Sequence, residues 1–335
     1  MTGDDRTSGK GFFSRVRSRM RPGAPGTGDR STGDTSGRPG PMVAADADSL
    51  AATLPSLVLE AERIAATVAA GLHGLKRSGP GETFWQYRPA LPGEPVTRID
   101  WRQSARSHRA YVRETEAEHA QTVYLWCDLS PSMRWSSLPS SLPLKRDRAI
   151  LLLLATASLL ERSGERVRLL SPAGHVDLPP GSGRLASRIA LAMTVLAERT
   201  DLSGLPTAVA LPPHAQLIIA SDLLAPDTDI TALFRTLTGN GLRSHIIHIV
   251  DPAEQELPYS GRVRFEGTEH EPDVILPAVE TLQNDYGKLF ATRQASLRDL
   301  AERGRHTFQP HRTDASPTTA LLALSASLAG HRGTR

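Results

Sequence analysis

The sequence predicts an α/β fold: a doubly wound, mostly parallel sheet of Rossmann type with helices on both faces, preceded by a helix and a small β-rich block. Two observations carry that reading. From residue 122 onward, strand-like and helix-like segments alternate, the pattern of a parallel sheet with crossover helices. Within that stretch, Val123–Cys127 and Leu217–Ala220 are continuous apolar runs, as expected of strands covered on both faces. Each run is followed by an aspartate, Asp128 or Asp222, at the strand end where ligands collect in such sheets.

Taken in order, residues 1–45 are dense in Gly, Pro, Ser, Thr and Arg and are expected to be a disordered basic tail, because they bury too little apolar surface to offset ordering. Inside it, Lys10 to Arg21 mixes basic residues with Phe12, Phe13 and Val16. That patch would permit weak contact with an anionic membrane surface, although a solvated tail is the plainer reading. From Leu54 to Leu75 the stripe Leu57, Ala61, Ile64, Val68, Leu72 has helical spacing, with Thr53 as cap and Pro55 in the first turn. Gly79-Pro80-Gly81 breaks it. Thr83–Arg88, Val96–Arg102 and Ala110–Thr115 read as strands. With the helix they make a segment of residues 46–120, ahead of an α/β domain of residues 121–335.

In that domain the expected elements after the first strand are a very apolar helix Lys145–Arg162, a strand Arg166–Leu170 and an edge turn at 174–178. A helix Arg184–Glu198, the strand entering Asp222, a helix Thr228–Thr238 and a strand His245–Val250 follow. A short strand Arg262–Glu266 and helices Asn284–Arg303 and Pro317–Ala329 complete the chain.

Composition narrows the function classes. Residues 1–42 carry 8 Lys+Arg against 4 Asp+Glu, so the basic balance lies in the tail and the remaining chain is close to neutral. That argues against a basic, nucleic-acid-binding body. One cysteine excludes an intramolecular disulfide and a cysteine-based zinc site, and Cys127 reads as a small apolar residue of its strand. The longest apolar run, Ala149–Leu160, suits a core helix and is too short for a bilayer. A cytoplasmic protein is expected.

The chemistry concentrates in Asp128-Leu-Ser-Pro-Ser132. One carboxylate and two hydroxyls on alternate residues beyond a strand can turn their oxygens to one point, a donor set for a hard cation such as Mg²⁺, with Mn²⁺ and Ca²⁺ as alternatives. Taken alone, the same residues would cap a turn. Asp222, at the second strand end, and Thr200, on a loop between, would complete a set of five: Asp128, Ser130, Ser132, Thr200 and Asp222.

These five residues resemble the metal-ion-dependent adhesion site (MIDAS) of a von Willebrand factor A domain. The block before them, with Gly81-Glu-Thr-Phe84, Arg88, Pro92-Gly93, Arg98-Ile-Asp-Trp101, Ser104-Ala-Arg106 and Val112-Arg-Glu114 with Glu116, resembles the bacterial domain of unknown function 58, whose members join such a block to a von Willebrand A-like domain. The resemblance covers roughly residues 70–300. It implies a non-enzymatic, metal-dependent adaptor that binds an acidic residue of a partner protein and works with a MoxR-type AAA+ ATPase in protein maturation or complex assembly. The chain departs from the family pattern in lacking amino-terminal membrane helices and in having Leu223 where Gly usually follows the later aspartate. Thr194 and Thr207 also lie near the threonine position.

Two rivals stand beside that reading. Asp128 beside Mg²⁺ is a candidate phosphoryl acceptor, but Ser130 occupies the place of the usual second carboxylate and no suitably placed lysine follows a strand. No Gly-rich phosphate cradle is present. The aromatics and arginines of residues 83–113 suit single-stranded nucleic acid, but their many carboxylates point to internal ion pairs and a protein partner, with no nucleic acid. His245 and His248, three apart on a strand, face opposite sides and do not form a shared metal site.

Overall fold

The computed structural model describes residues 41–73, 84–115, 121–180, 183–199, 204–206, 211–212, 215–267 and 273–330. Helix α1 (Pro41–His73) comes first, then strands β1 (Phe84–Pro89) and β2 (Tyr111–Thr115), with the one-turn helix α2 (Trp101–Ser104) between them. The alternating part follows: β3 (Thr122–Cys127), α3 (Lys145–Arg162), β4 (Arg166–Ser171), β5 (Gly174–Val176), α4 (Leu185–Ala197), β6 (Gln216–Ser221), α5 (Asp227–Gly239) and β7 (Arg243–Val250). Then come α6 (Pro252–Glu256), β8 (Val263–Phe265), β9 (Val274–Leu276), α7 (Gln283–Arg303), β10 (Thr307–Arg312) and α8 (Pro317–Gly330). The tail patch of residues 10–21 lies outside the described residues, as does the stretch holding Thr200.

The central sheet has the order β10-β7-β6-β3-β4-β5, parallel throughout except for the β4–β5 edge hairpin. From β3 the chain moves outward to β4 and β5, then crosses back to β6 on the other side of β3. The order therefore reverses between β3 and β6, and the crevice beyond their carboxyl ends is the natural ligand position of this topology.

Side chains alternate across the sheet. Tyr124 and Trp126 of β3 and Leu217 and Ile219 of β6 pack with Ile230, Phe234 and Leu237 of α5 and Leu297 and Ala301 of α7. The opposite face is covered by α3, which touches β3, β4, β6 and β7 and is flanked by α4 and α8. A helix enclosed in this way has no wet side, so Ala149–Leu160 is apolar around its whole circumference and buried throughout.

The chain divides into two compact units, residues through Ala69 together with 122–335, and residues 70–121. Helix α1 thus groups with the α/β body, whereas the sequence reading placed it with the β-rich block. Leu50, Leu54, Ala61, Ile64, Ala65 and Val68 form its buried stripe, and Glu62 pairs with Arg184 at the start of α4. The helix also begins earlier than expected. Pro55 sits inside it, and the Thr53 hydroxyl donates back to the Leu50 carbonyl instead of capping the helix.

In the second unit, β1 and β2 pair antiparallel as expected. Val96–Arg102 is not a strand. Asp100 accepts a hydrogen bond from the Gln103 amide and nucleates α2, a capping preference that outweighs the β-branched character of Val96, Thr97 and Ile99. Arg88 forms an ion pair with Glu94, and Trp101 is 61% exposed.

Strand β10 was not anticipated, because Pro310 interrupts its pattern. It is an edge strand of the described sheet, pairing only with β7, so a residue without an N–H is tolerated there. Beside it, Gly304 ends α7 against the buried His306 ring, which is held by the Ser244 hydroxyl at 2.8 Å and that of Thr238 at 3.1 Å. A Cβ at Gly304 would lie 2.5 Å from His306 Cδ2 and 2.7 Å from Thr238 Oγ1. Gly304→Ala is therefore expected to destabilise the protein by about 1–3 kcal/mol. A urea unfolding curve with an unchanged midpoint would show that the ring moves aside freely.

Candidate metal centre

Asp128 follows β3 immediately and is fully buried. Its Oδ1 accepts the Ser130 amide at 2.9 Å, and its Oδ2 accepts the Ser221 hydroxyl at 2.7 Å. The Ser130 and Ser132 hydroxyls lie 3.1 Å apart. Ser130 also hydrogen-bonds Asp128, and Ser132 hydrogen-bonds Asp222. Four of the five residues singled out from the sequence, Asp128, Ser130, Ser132 and Asp222, thus stand at one place beyond β3 and β6. Thr200 lies outside the described residues. Gly204, four positions on, comes so close to Asp128 that a Cβ there would sit 3.2 Å from Oδ2. Thr194 is on α4, where its hydroxyl donates to the Ala190 and Leu191 carbonyls.

The close fit around Asp222 depends on an unusual backbone. Leu223 has a φ of 51°, the left-handed region where glycine is at ease. Three contacts hold it there: its amide donates to Ser221 Oγ at 2.9 Å, Arg293 donates to its carbonyl at 3.1 Å, and its side chain is buried in the core. Burial of the leucine side chain offsets the strain that a glycine would avoid.

Sequence reasoning missed two members of the site. Lys145, the first residue of α3, is 1% exposed, and its ammonium donates to Asp222 Oδ2 at 2.8 Å and to Glu254 Oε1 at 2.5 Å. Lys145 lies 17 positions beyond Asp128 and opens a helix instead of following a strand, and the loop between them folds back to bring it to Asp222. Glu254 belongs to α6, whose cap is reciprocal. Asp251 Oδ1 accepts the Ala253 amide, while Glu254 Oε2 accepts the Asp251 amide at 2.9 Å. Asp251 Oδ2 also accepts the Ser137 amide at 3.0 Å, which ties the loop after β3 to the end of β7. A Ser/Thr/Asp-x-x-Glu cap is readable at Asp251–Glu254, but its link to Lys145 spans 109 positions and has no local signature.

Electrostatics divide the two aspartates. Burial raises the Asp128 carboxyl to about 7, assisted by the nearby Asp222 charge and opposed by the serine hydrogen bonds. Burial also works against the Asp222 charge, but Lys145 outweighs it and holds this carboxyl below its ordinary range. For Lys145 burial disfavours the ammonium, yet Asp222 and Glu254 together raise its pKa. Among the described residues, no basic side chain pairs with Asp128. Lys145 is shared by Asp222 and Glu254, and Asp128 is held by neutral donors, the Ser130 amide and the Ser221 hydroxyl. One carboxylate and two hydroxyls are oxygen donors of the kind hard divalent ions take, but among the described residues no group of three or more His, Cys, Asp and Glu side chains could hold a metal ion. Asp222 is paired with Lys145, a contact absent from the sequence-based expectation.

Other groups go elsewhere. His248 Nε2 lies 3.1 Å from the Asp222 carbonyl, whereas His245 Nδ1 meets the Thr307 and Ser327 hydroxyls. Burial pushes the Cys127 thiol up, which keeps it protonated and inert.

Fold and site together define an α/β protein with a mostly parallel six-stranded sheet and a buried cluster of carboxylates and hydroxyls where the strand order reverses. The chain belongs to the family described as protein of unknown function DUF58, whose model matches residues 86–296. It is 27% identical over 273 residues to the uncharacterized proteins Mb1516 of Mycobacterium bovis and Rv1480 of Mycobacterium tuberculosis, covering 77% of this chain and 84% of each relative. Among solved structures, BatB from Bacteroides thetaiotaomicron overlaps 63% of this chain and all of its own, with a TM-score of 0.33 and 12% identity. Among the described residues, no helix is long and apolar enough to cross a membrane.

Proposed function

We propose that the chain is a metal-dependent protein-binding adaptor with a von Willebrand A-like domain, and that it engages an acidic residue of its partner through a cation held by Asp128, Ser130 and Ser132. The observation that carries this reading is the buried Asp128 carboxylate, which lacks a cationic partner among the described residues and lies beside two hydroxyls at the reversal of strand order. A hard cation at one carboxylate and neutral oxygens keeps enough positive field to accept another anion. Ser221 and the Ser130 amide orient Asp128, while Lys145 holds Asp222 in place. The family resemblance adds a MoxR-type AAA+ ATPase as partner and Mg²⁺ as the ion, with Mn²⁺ or Ca²⁺ as substitutes.

Phosphoryl transfer to Asp128 would call for a lysine at that carboxylate, but the Lys145 ammonium is committed to Asp222 and Glu254.

The test is capture of a purified MoxR-type ATPase encoded in the same genome, with Mg²⁺ or with EDTA, by the wild-type chain and Asp128→Ala. Capture is expected to fall at least tenfold on either treatment. Capture indifferent to both would remove the metal-dependent mechanism.

A further inference from the structure

A cavity of about 340 Å³ lies at the carboxyl ends of β7 and β10, and none of its lining residues belongs to the candidate metal centre. That volume is at the lower end of the roughly 300–1,000 Å³ in which proteins hold small molecules. The carboxyl ends of a parallel sheet are also where such ligands sit. Gln255 of α6 and Gln294 of α7 bring carboxamides to the lining, and Ser316 and Thr319 bring hydroxyls from the start of α8. Among the described residues no carboxylate lines the cavity. Arg312 does, and its ion pairs with Glu256 and Asp314 fix the guanidinium in place and balance its charge.

Two independent features mark the cavity as a place for an anion. The first is the amino end of α8, a helix of 14 residues. Pro317 leads it without an N–H, and the Thr318 and Thr319 amides meet no side-chain acceptor among the described residues. In α6, by contrast, Asp251 and Glu254 close the first turn. Free first-turn amides carry positive partial charge and attract oxyanions. The second feature is His311, which is 4% exposed and lines the cavity, and whose Nε2 has no hydrogen-bond partner among the described residues. Burial, with Arg148 nearby, holds its pKa down to about 4, so the ring is neutral and keeps one N–H to donate. A buried polar group left unpaired is costly, and a ligand against the ring removes that cost.

We propose that this cavity binds a small organic anion, whose carboxylate or phosphate group is held by the first-turn amides of α8, the Ser316 and Thr319 hydroxyls and His311. The Gln255 and Gln294 carboxamides hold the uncharged polar body of the same ligand. Neither carboxamide has a hydrogen-bond partner among the described residues, and each offers both a donor and an acceptor. The site is independent of the cation reading at Asp128.

The experiment is isothermal titration of the full chain, with thermal midpoints, in EDTA so that no anion is read through a bound cation. The probes are inorganic phosphate, N-acetylglycine and its uncharged amide, with chloride holding the ionic strength constant. Wild type is expected to bind both anions, and to bind N-acetylglycine roughly tenfold more tightly than the amide. Thr319→Glu sets a carboxylate in the first turn of α8, where one is favourable. That variant should keep at least the wild-type thermal midpoint and lose roughly tenfold in affinity for both anions. Thr319→Gln has the same shape without the charge and should stay within about threefold of wild type. Gln294→Ala should weaken N-acetylglycine roughly threefold and leave phosphate unchanged. Binding of phosphate alone, removed by Thr319→Glu, would support the site and assign it to phosphate esters. Binding of N-acetylglycine alone, removed in the same way, would support it and assign it to carboxylates. No binding of either anion by wild type would overturn the site. Equal affinity for N-acetylglycine and its amide would overturn the anionic character of the ligand, and anion binding unchanged in Thr319→Glu would overturn its place at α8.

Discussion

Glu254→Ala is expected to destabilise the protein by about 3–5 kcal/mol, because it leaves a buried ammonium with one carboxylate in place of two. For a domain of this size that corresponds to a fall in thermal midpoint of roughly 6–20 °C. The loss has two sources. Lys145 loses a partner at 2.5 Å in a site that water does not reach, and the Asp251 amide loses the acceptor that closes the cap of α6. The same change loosens the floor of the candidate site, since the Asp251 carboxylate anchors the loop after β3 through Ser137. A double-mutant cycle with Lys145→Met separates the two sources. The double variant should be more stable than the sum of the single losses by about 1–3 kcal/mol, the coupling expected of groups in direct contact. Strict additivity would mean that the ammonium and the carboxylate do not interact.

Asp128→Asn should act in the opposite direction on stability while removing cation binding. The carboxyl is raised to about 7 by burial and by Asp222, so between about pH 4 and pH 7 the folded chain holds a proton that the unfolded chain has released. The native state then binds more protons than the unfolded state, and stability declines as pH rises through that window. Asp222 shows the converse. Its depressed carboxyl contributes stability that is complete above the ordinary carboxylate range and is lost at lower pH, so the two effects do not overlap. At pH 8 in EDTA, Asp128→Asn is expected to gain roughly 2–4 kcal/mol over wild type, and the decline between pH 4 and 7 should flatten. Magnesium should raise the wild-type midpoint at pH 8 and leave that of the variant unmoved. A variant less stable than wild type in EDTA would show that the ionised carboxylate is favourable without a cation. Such a trade between stability and binding is common where a site holds like charges together.

Much of the fold is legible in the linear pattern because it reflects short-range periodicity. The unbroken apolar runs of β3 and β6 and the apolar circumference of α3 each report enclosure on all sides, and the α3 boundaries coincide with those read from the sequence. Departures arise where a local signal competes with a distant one. Pro55 marks a helix start in isolation, yet Leu50 and Leu54 carry the buried stripe through it. Pro310 reads as an interruption, but only one edge of β10 is paired. Asp100 turns a β-prone stretch into a helical turn with a single hydrogen bond.

The candidate site divides along the same line. Asp128, Ser130 and Ser132 fall within five consecutive positions of one loop, and Asp222 is placed by the same rule at the end of a neighbouring strand, so a motif and an apolar run are enough to find them. Lys145 and Glu254 carry no such mark. Their ion pair depends on a loop folding back over β3, on the crossing that sets β6 beside it, and on the reciprocal cap that turns Glu254 inward after β7. Periodicity and spacing act over a few residues and are written along the chain. The pairing of charges 109 positions apart is decided by which buried groups must neutralise one another once the strands have taken their order, and only the tertiary structure contains that order.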